Sequence, residues 1–193
     1  MSKNVLVYCG SSKGYNSIYE NEVKKLAQAL KKHNCNIIFG AGSVGLMGVL
    51  ADEFLRLGGE CIGVIPSFME PWEVKHKGIQ ECIVTDTMHT RKHIMAEKAD
   101  AVITLPGGFG SMDELFEILT WKQLDLHEMP VGVLNINGYY DLLIQQMQHM
   151  VKEGFLKEAN FDAIHIDSDP DSMVEYMLNY SPEKMEKKWI YRG

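Results

Sequence analysis

Arg91, Glu114 and the serines and glycines around them are the residues of this chain whose types and spacing suit chemistry. Glu114 stands in LPGGFGSMDELFE (105–117), where a proline and a glycine-rich turn run into a helix that begins with acids. Such a turn presents unpaired backbone N–H groups and the positive end of a helix dipole, an arrangement that holds anions. Phosphate repels carboxylates, so Asp113, Glu114 and Glu117 need a reason to stand close behind it. Ser111-Met112-Asp113-Glu114 fits a capping box, in which the serine caps the helix and the glutamate reaches back. On this stretch alone, capping and catalysis weigh about evenly. The neighbourhood favours chemistry, because a carboxylate beside a sugar phosphate suits reaction at a ribose carbon. Cleavage of an N-glycosidic bond passes through an oxocarbenium-like state, which a carboxylate stabilises or whose attacking water it activates.

Three further loops belong with this one. CGSSKG (9–14) carries Gly10 and Ser11, GAGSVGLMG (40–48) carries Gly42, Ser43 and Gly45, and DTMHTRKH (86–93) brings Met88, Arg91 and Lys92. Each follows a strand-like run, and in an open parallel sheet ligands collect beyond the carboxyl ends of the strands. One glycine loop is weak evidence, since glycine also marks tight turns. Two of them, with Ser11, Ser12, Ser43, Ser111 and the Arg91-Lys92 pair at one sheet edge, point to a phosphate-bearing ligand. Residues 40–45 match the G-x-G-x-x-G of dinucleotide-binding proteins. The next strand, however, ends VIPS (64–67) without the acid that would hold a ribose, and the turn at 106–111 would go unexplained. His89 and His93 lie four apart with Thr90 where a zinc protease has glutamate, so a packed or solvated pair is expected and no metal site. Neither Lys92 nor Lys122 has a context distinctive of a Schiff-base lysine.

The elements that position these residues alternate along the chain. Apolar, β-branched runs at 4–9, 36–40, 61–65, 82–86, 101–106, 131–136 and 163–167 are separated by helical stretches such as 17–33, 112–124 and 139–154. That alternation predicts an α/β fold: a Rossmann-like, doubly wound, mostly parallel sheet with helices on both faces. The 193 residues, 46% apolar, suffice for one core and are read as one domain over 1–193. A net charge of -7 disfavours nucleic acid as a partner. No apolar stretch is long enough for a signal peptide or a membrane span, so a cytoplasmic protein is expected. Cys9, Cys35, Cys61 and Cys82, without any C-x-x-C, are expected as free thiols. The segment 66–78 reads as a lid, a binding loop or a plain solvated connection. The tail SPEKMEKKWIYRG, with Trp189 and Tyr191, suits either fraying or docking on a partner.

The stretches GAGSVGLMG (40–48), MHTRKHIM (88–95) and PGGFGSMDE (106–114) resemble the three motifs of the Lonely Guy family, once labelled lysine-decarboxylase-like. The resemblance continues through WKQLDLH (121–127), LNINGYYDLL (134–143) and EGF (153–155), almost the whole chain. It implies hydrolysis of purine nucleoside 5′-monophosphates, AMP or N6-substituted cytokinin riboside monophosphates, to free base and ribose 5-phosphate, without metal or redox cofactor. By the same resemblance Arg91 and Glu114 match the catalytic pair, and Gly107, Gly108, Gly110 and Ser111 the phosphate-binding turn. A homodimer with the nucleotide pocket near its interface is implied too. Three positions depart from the family pattern: Ser111 replaces threonine, Ala41 replaces glycine beside the ligand, and Thr90 replaces the glutamate before Arg91. The second is expected to narrow its turn, the third to alter the orientation of Arg91. The competing class is a nucleotide or molybdenum-cofactor carrier of the same fold, which has no evident need for an Arg91–Glu114 pair.

Overall fold

The computed structural model describes residues 2–69 and 75–182. Residues 70–74 of the expected loop, and the tail beyond 182 with Trp189 and Tyr191, lie outside the described residues. Seven strands are present: β1 (Asn4–Tyr8), β2 (Asn36–Phe39), β3 (Cys61–Pro66), β4 (Glu81–Thr85), β5 (Ala101–Thr104), β6 (Val131–Leu134) and β7 (Ile164–Asp167). They alternate with α1 (Ile18–Lys32), α2 (Gly45–Arg56), α3 (Met88–Glu97), α4 (Phe109–Gln123), α5 (Asp141–Lys152), α6 (Glu158–Asp162) and α7 (Pro170–Asn179). The strands form one sheet in the order β4-β3-β2-β1-β5-β6-β7, with every pair parallel. The predicted fold class is thus the observed one, and all seven strand runs are found.

Alternation along each strand divides the core in two. Val5, Val7, Ile37, Phe39, Ala101 and Ile103 face α1, α2 and α7, where Leu26, Leu30, Leu50, Phe54 and Val174 pack against them. Leu6, Tyr8, Ile38, Val64, Val102 and Val133 face the other way, toward Met95, Leu115, Ile118 and Met147 of α3, α4 and α5. Both faces are covered, which is why the strands read as continuous apolar runs. All four cysteines are free; three are buried and Cys82 is half-buried. Burial pushes the Cys61 thiol up to about 12.

The strand order places the site. From β1 the chain runs outward through β2, β3 and β4, then crosses to the other side of β1 to lay down β5. The loops after β1 and β5 therefore diverge, and the crevice between them is where sheets of this kind take ligands. Gly10 closes its floor. Its N–H donates to the Pro106 carbonyl at 3.0 Å, and its own carbonyl accepts from Leu46 N–H at 3.0 Å. One residue thus ties the β1, β2 and β5 loops together at a single edge, as the sequence predicts.

That closeness makes Gly45 sterically obligatory. It opens α2 with a φ of 66°, and a Cβ there would run into the backbone of Ser11. A left-handed alanine and a backbone clash together cost about 3 kcal/mol. Gly45→Ala is expected to lower the melting temperature by roughly 6–12 °C, measured by thermal denaturation. A variant melting with the parent protein would show that the two loops are not packed in this way.

Candidate active site

Arg91 lies on α3, one turn past its start, and is buried with 7% exposure. Its Nε donates to the Val64 carbonyl of β3 at 2.9 Å, and its Nη1 donates to Glu114 Oε1 at 3.0 Å. Glu114 is as deeply buried. Burial dominates its ionisation: desolvation outweighs the attraction of Arg91 and pushes the carboxyl up to about 6. Tyr8 and Cys9, at the end of β1, feel the same carboxylate, and burial foremost holds both above their ordinary values. The guanidinium also reaches the β2 loop, since a Cβ at Gly40 would collide with its Nη2. The two residues predicted as a catalytic pair are therefore in direct contact, beneath the loops that carry the glycines.

The other two acids behind the glycine turn serve Lys92. Its ammonium is buried and lies 2.9 Å from Asp113 Oδ2 and 3.0 Å from Glu117 Oε2. Burial works against this charge, but the two carboxylates prevail and raise its pKa. The question posed by the acidic run has a structural answer. Asp113, Glu114 and Glu117 lie along α4 and neutralise the Arg91-Lys92 pair of α3, clamping the two helices together. Lys92 is thereby committed within the protein.

The capping-box reading of Ser111 and Glu114 is corrected. The N-cap of α4 is Gly108, the helix begins at Phe109, and no side chain caps it. Ser111 is then the third helical residue and Glu114 lies in the second turn, too far along to reach back. The cap of α2, Val44, likewise offers no side-chain bond, whereas Thr87 caps α3 by accepting from Thr90 N–H. Helices α2 and α4 thus start at the crevice with first-turn amides that have no intrahelical partner. Gly107 is needed for packing, because a Cβ would strike the Ser111 hydroxyl. Gly108 and Gly110 face open space and hold no left-handed φ, so nothing within the described chain demands glycine there. Ser11 is exposed, Ser43 and Met88 are half-buried, and Gly42 is buried, bridged to Lys75 in an isolated antiparallel contact. That contact, with His76 N–H donating to the Ala41 carbonyl and the His76 ring bonded to Asp52, fixes the far end of the 66–78 loop.

The structure shows the surroundings of two of the departures from the family pattern. Ala41 is fully buried at a φ of 64°, and its methyl packs against Gly63 of β3, so it does not narrow an open turn. The left-handed conformation costs about 1–2 kcal/mol relative to glycine. Thr90 is exposed at the third position of α3, with its hydroxyl 2.9 Å from that of Thr87. Arg91 is oriented from the opposite side, by Val64 and Glu114. Of the other candidates, His93 pairs with Glu97 on its own helix. Lys122 lines a separate cleft of about 1220 Å³ with His127 and His165 at the β7 edge. It donates to the Met129 carbonyl, and burial lowers its pKa.

Sequence reasoning missed Tyr139 and Tyr140, which precede α5. The Tyr139 hydroxyl donates to the Gly107 carbonyl at 2.5 Å and the Tyr140 hydroxyl to the Leu105 carbonyl at 2.6 Å. Both brace the connection from β5 to α4. The signal was present in NINGYYD, a stretch noted for resemblance without a role.

The fold and the crevice define a Rossmann-like α/β protein with two helix starts that lack side-chain caps at its topological switch point and a buried arginine–glutamate pair beside them. Residues 47–177 match the family described as "Possible lysine decarboxylase". The chain is 37% identical over 181 residues to a cytokinin riboside 5′-monophosphate phosphoribohydrolase of Arabidopsis thaliana, covering 94% of this chain and 85% of that protein. It belongs to the Lonely Guy family of such proteins. The fold is also that of the molybdenum cofactor carrier protein of Chlamydomonas reinhardtii, with a TM-score of 0.70 at 18% identity over 93% of this chain and 100% of the other. The molybdenum cofactor binding protein of Rippkaea orientalis gives 0.69 at 21% identity over 92% and 97%.

The position of Thr90 generates a prediction. Glutamate there would stand three residues after the Thr87 cap and complete a capping box. Thr90→Glu is expected to stabilise the protein by about 0.3–1.5 kcal/mol, raising the melting temperature by roughly 1–5 °C, with turnover unchanged. A severalfold change in turnover would show that this position acts on Arg91.

Proposed function

We propose that the protein hydrolyses the N-glycosidic bond of purine nucleoside 5′-monophosphates, with Glu114 and Arg91 as its catalytic pair. The observation that carries this reading is the buried Arg91–Glu114 contact at the crevice where two helices begin without side-chain caps. In this reading the 5′-phosphate lies on the backbone amides of Gly107, Gly108, Gly110 and Ser111, with Gly10, Ser11, Gly42, Ser43, Gly45 and Met88 completing the cradle. The ribose carbon then lies near Glu114. As the bond to the base lengthens, positive charge grows on the sugar, and the Glu114 carboxylate stabilises it. Water adds its oxygen to C1′, the carboxylate takes a proton from that water, and the base leaves with its bonding electrons and gains a proton. AMP and water give adenine and ribose 5-phosphate. Arg91 uses two of its five N–H donors on Val64 and Glu114 and keeps three for the nucleotide.

The net charge of -7 supports a small nucleotide over nucleic acid as the partner. Among the described residues no helix is long and apolar enough to cross a membrane, and we take the protein to act in the cytoplasm. A homodimer belongs to the same reading, supported by the exposed Leu126, Leu142 and Phe155. The fold alone also suits a molybdenum-cofactor carrier. The two readings part on incubation with AMP: free adenine supports the hydrolase, and AMP left intact after long incubation supports the carrier.

Three outcomes are expected of the enzyme. Glu114→Gln lowers kcat/KM for AMP by about 10²–10⁴-fold, while the amide still accepts from Arg91. Parent-like turnover by this variant would remove Glu114 from the chemistry. Because the carboxylate must be ionised and burial raises its pKa to about 6, kcat/KM falls roughly tenfold per unit as pH drops below about 6. A profile flat down to pH 5 would contradict this assignment. Losing two or three charge-assisted bonds of about 1.5–3 kcal/mol each makes adenosine roughly a thousandfold or more poorer than AMP, and comparable values would show that the glycine turns do something else.

A further inference from the structure

We infer that Tyr139 is a positioning residue for the anion site, acting through the peptide that joins Gly107 to Gly108. This rests on the reading of that turn as the 5′-phosphate cradle. A trans peptide is planar, with its C=O and N–H pointing in opposite directions. The Tyr139 hydroxyl holds the Gly107 oxygen at 2.5 Å, and in doing so it fixes the direction of the Gly108 N–H. Among the described residues no group accepts from that N–H. It belongs to the N-cap of α4, the position from which first-turn amides converge on an anion.

The turn is anchored on either side, by Gly10 N–H on the Pro106 carbonyl and Met112 N–H on the Gly108 carbonyl, but its Gly107–Gly108 peptide is held by Tyr139. Gly108 is exposed, no atom lies within 4 Å of where its Cβ would be, and glycine rotates its peptides more freely than any other residue. Tyr139, though exposed on one side, has partners of its own. Its ring makes edge contacts with Tyr19 and Tyr140, at 6.0 and 4.9 Å between centroids. Its backbone lies in a turn where Asn135 accepts from Tyr140 N–H at 2.7 Å and donates to Asp141 at 2.7 Å. The neighbouring Tyr140 hydroxyl does a different job. It is buried and holds the Leu105 carbonyl, before the turn begins. A rigid aromatic turn ahead of α5 therefore sets one donor of a flexible glycine turn ahead of α4.

The test is Tyr139→Phe, which keeps the ring contacts and removes only the hydroxyl. Ribose 5-phosphate is the probe, titrated by calorimetry into the parent and the variant, alongside AMP turnover and thermal melting. The variant is expected to bind ribose 5-phosphate about three- to tenfold more weakly, the worth of one orienting hydrogen bond. KM for AMP should rise in proportion, kcat should stay within about twofold, and the melting temperature should move by no more than roughly 2–4 °C. Equal affinity in parent and variant would overturn the role of Tyr139 while leaving the site itself standing. A loss of kcat and of thermal stability with KM unchanged would make the hydroxyl a structural brace only and would also overturn it. A parent protein that neither binds ribose 5-phosphate nor turns over AMP would overturn both the positioning role and the phosphate reading beneath it.

Discussion

A guanidinium buried beneath the loops of a parallel sheet has to be neutralised where it lies, and the site is arranged around that requirement. Arg91 is held by a β3 carbonyl on one side and by Glu114 on the other. Removing one partner of a buried ion pair typically costs about 3–5 kcal/mol, because the survivor is left charged and desolvated. Helix α4 must therefore present Glu114 toward α3, and Gly40 must lack a side chain for the guanidinium to fit. The second cation, Lys92, imposes the same condition on Asp113 and Glu117. The acids of α4 are placed by what α3 buries.

This electrostatic closure decides how an anion can be received. Two cations and three carboxylates leave the cluster without an excess of positive charge, so an anion in the proposed cradle would rely on directed donors, the backbone amides and the N–H groups that Arg91 has left, more than on net charge. The amides of Gly108 and the first turn of α4 are oriented by the fold, whereas at the start of α2 the Leu46 amide is already bonded to the Gly10 carbonyl. Such a site recognises shape and hydrogen-bonding direction more than net charge. With Arg91 and Lys92 both paired, burial outweighs their attraction and sets the Glu114 carboxyl at about 6.

Strands β1, β2, β3, β5 and β6 were legible because both faces are covered and they read as nearly continuous apolar runs, while β4 and β7, at the edges and only partly buried, still carry short β-branched runs. Helix α2 was not: GLMGVLADEFLR is buried nearly all round its first two turns and shows no polar face from which to read a period. Helix α7 announces itself by Asp169-Pro170, a cap with proline at the first helical position, a signal that lies outside apolar patterning. The start of α4 misled for a chemical reason. Ser111 is a better cap by residue type than Gly108, but a helix that offers its amides to an anion is one whose side-chain cap is missing. The contact between Arg91 and Glu114 was foreseeable from strand-end logic and family likeness. The bond from Tyr139 to Gly107 joins a side chain to a backbone atom 32 positions away and leaves no periodic trace.

The central strand has a consequence for the order in which this molecule can become functional. β1 is made first, yet one of its two neighbours is β5, and the Asn4 amide meets its Asp100 partner only across 96 positions. Until then the half made of β1 to β4 carries an unpaired edge along a strand that is buried in the finished sheet, a surface prone to mispairing. Nor is the crevice complete when β5 arrives, since the turn beyond it is braced from residue 139. A chain emerging from the ribosome therefore passes through a long interval in which it is partly folded but unable to hold nucleotide. The proposed nucleotide site would exist only once the segment around residue 139 had come back to the turn that follows β5.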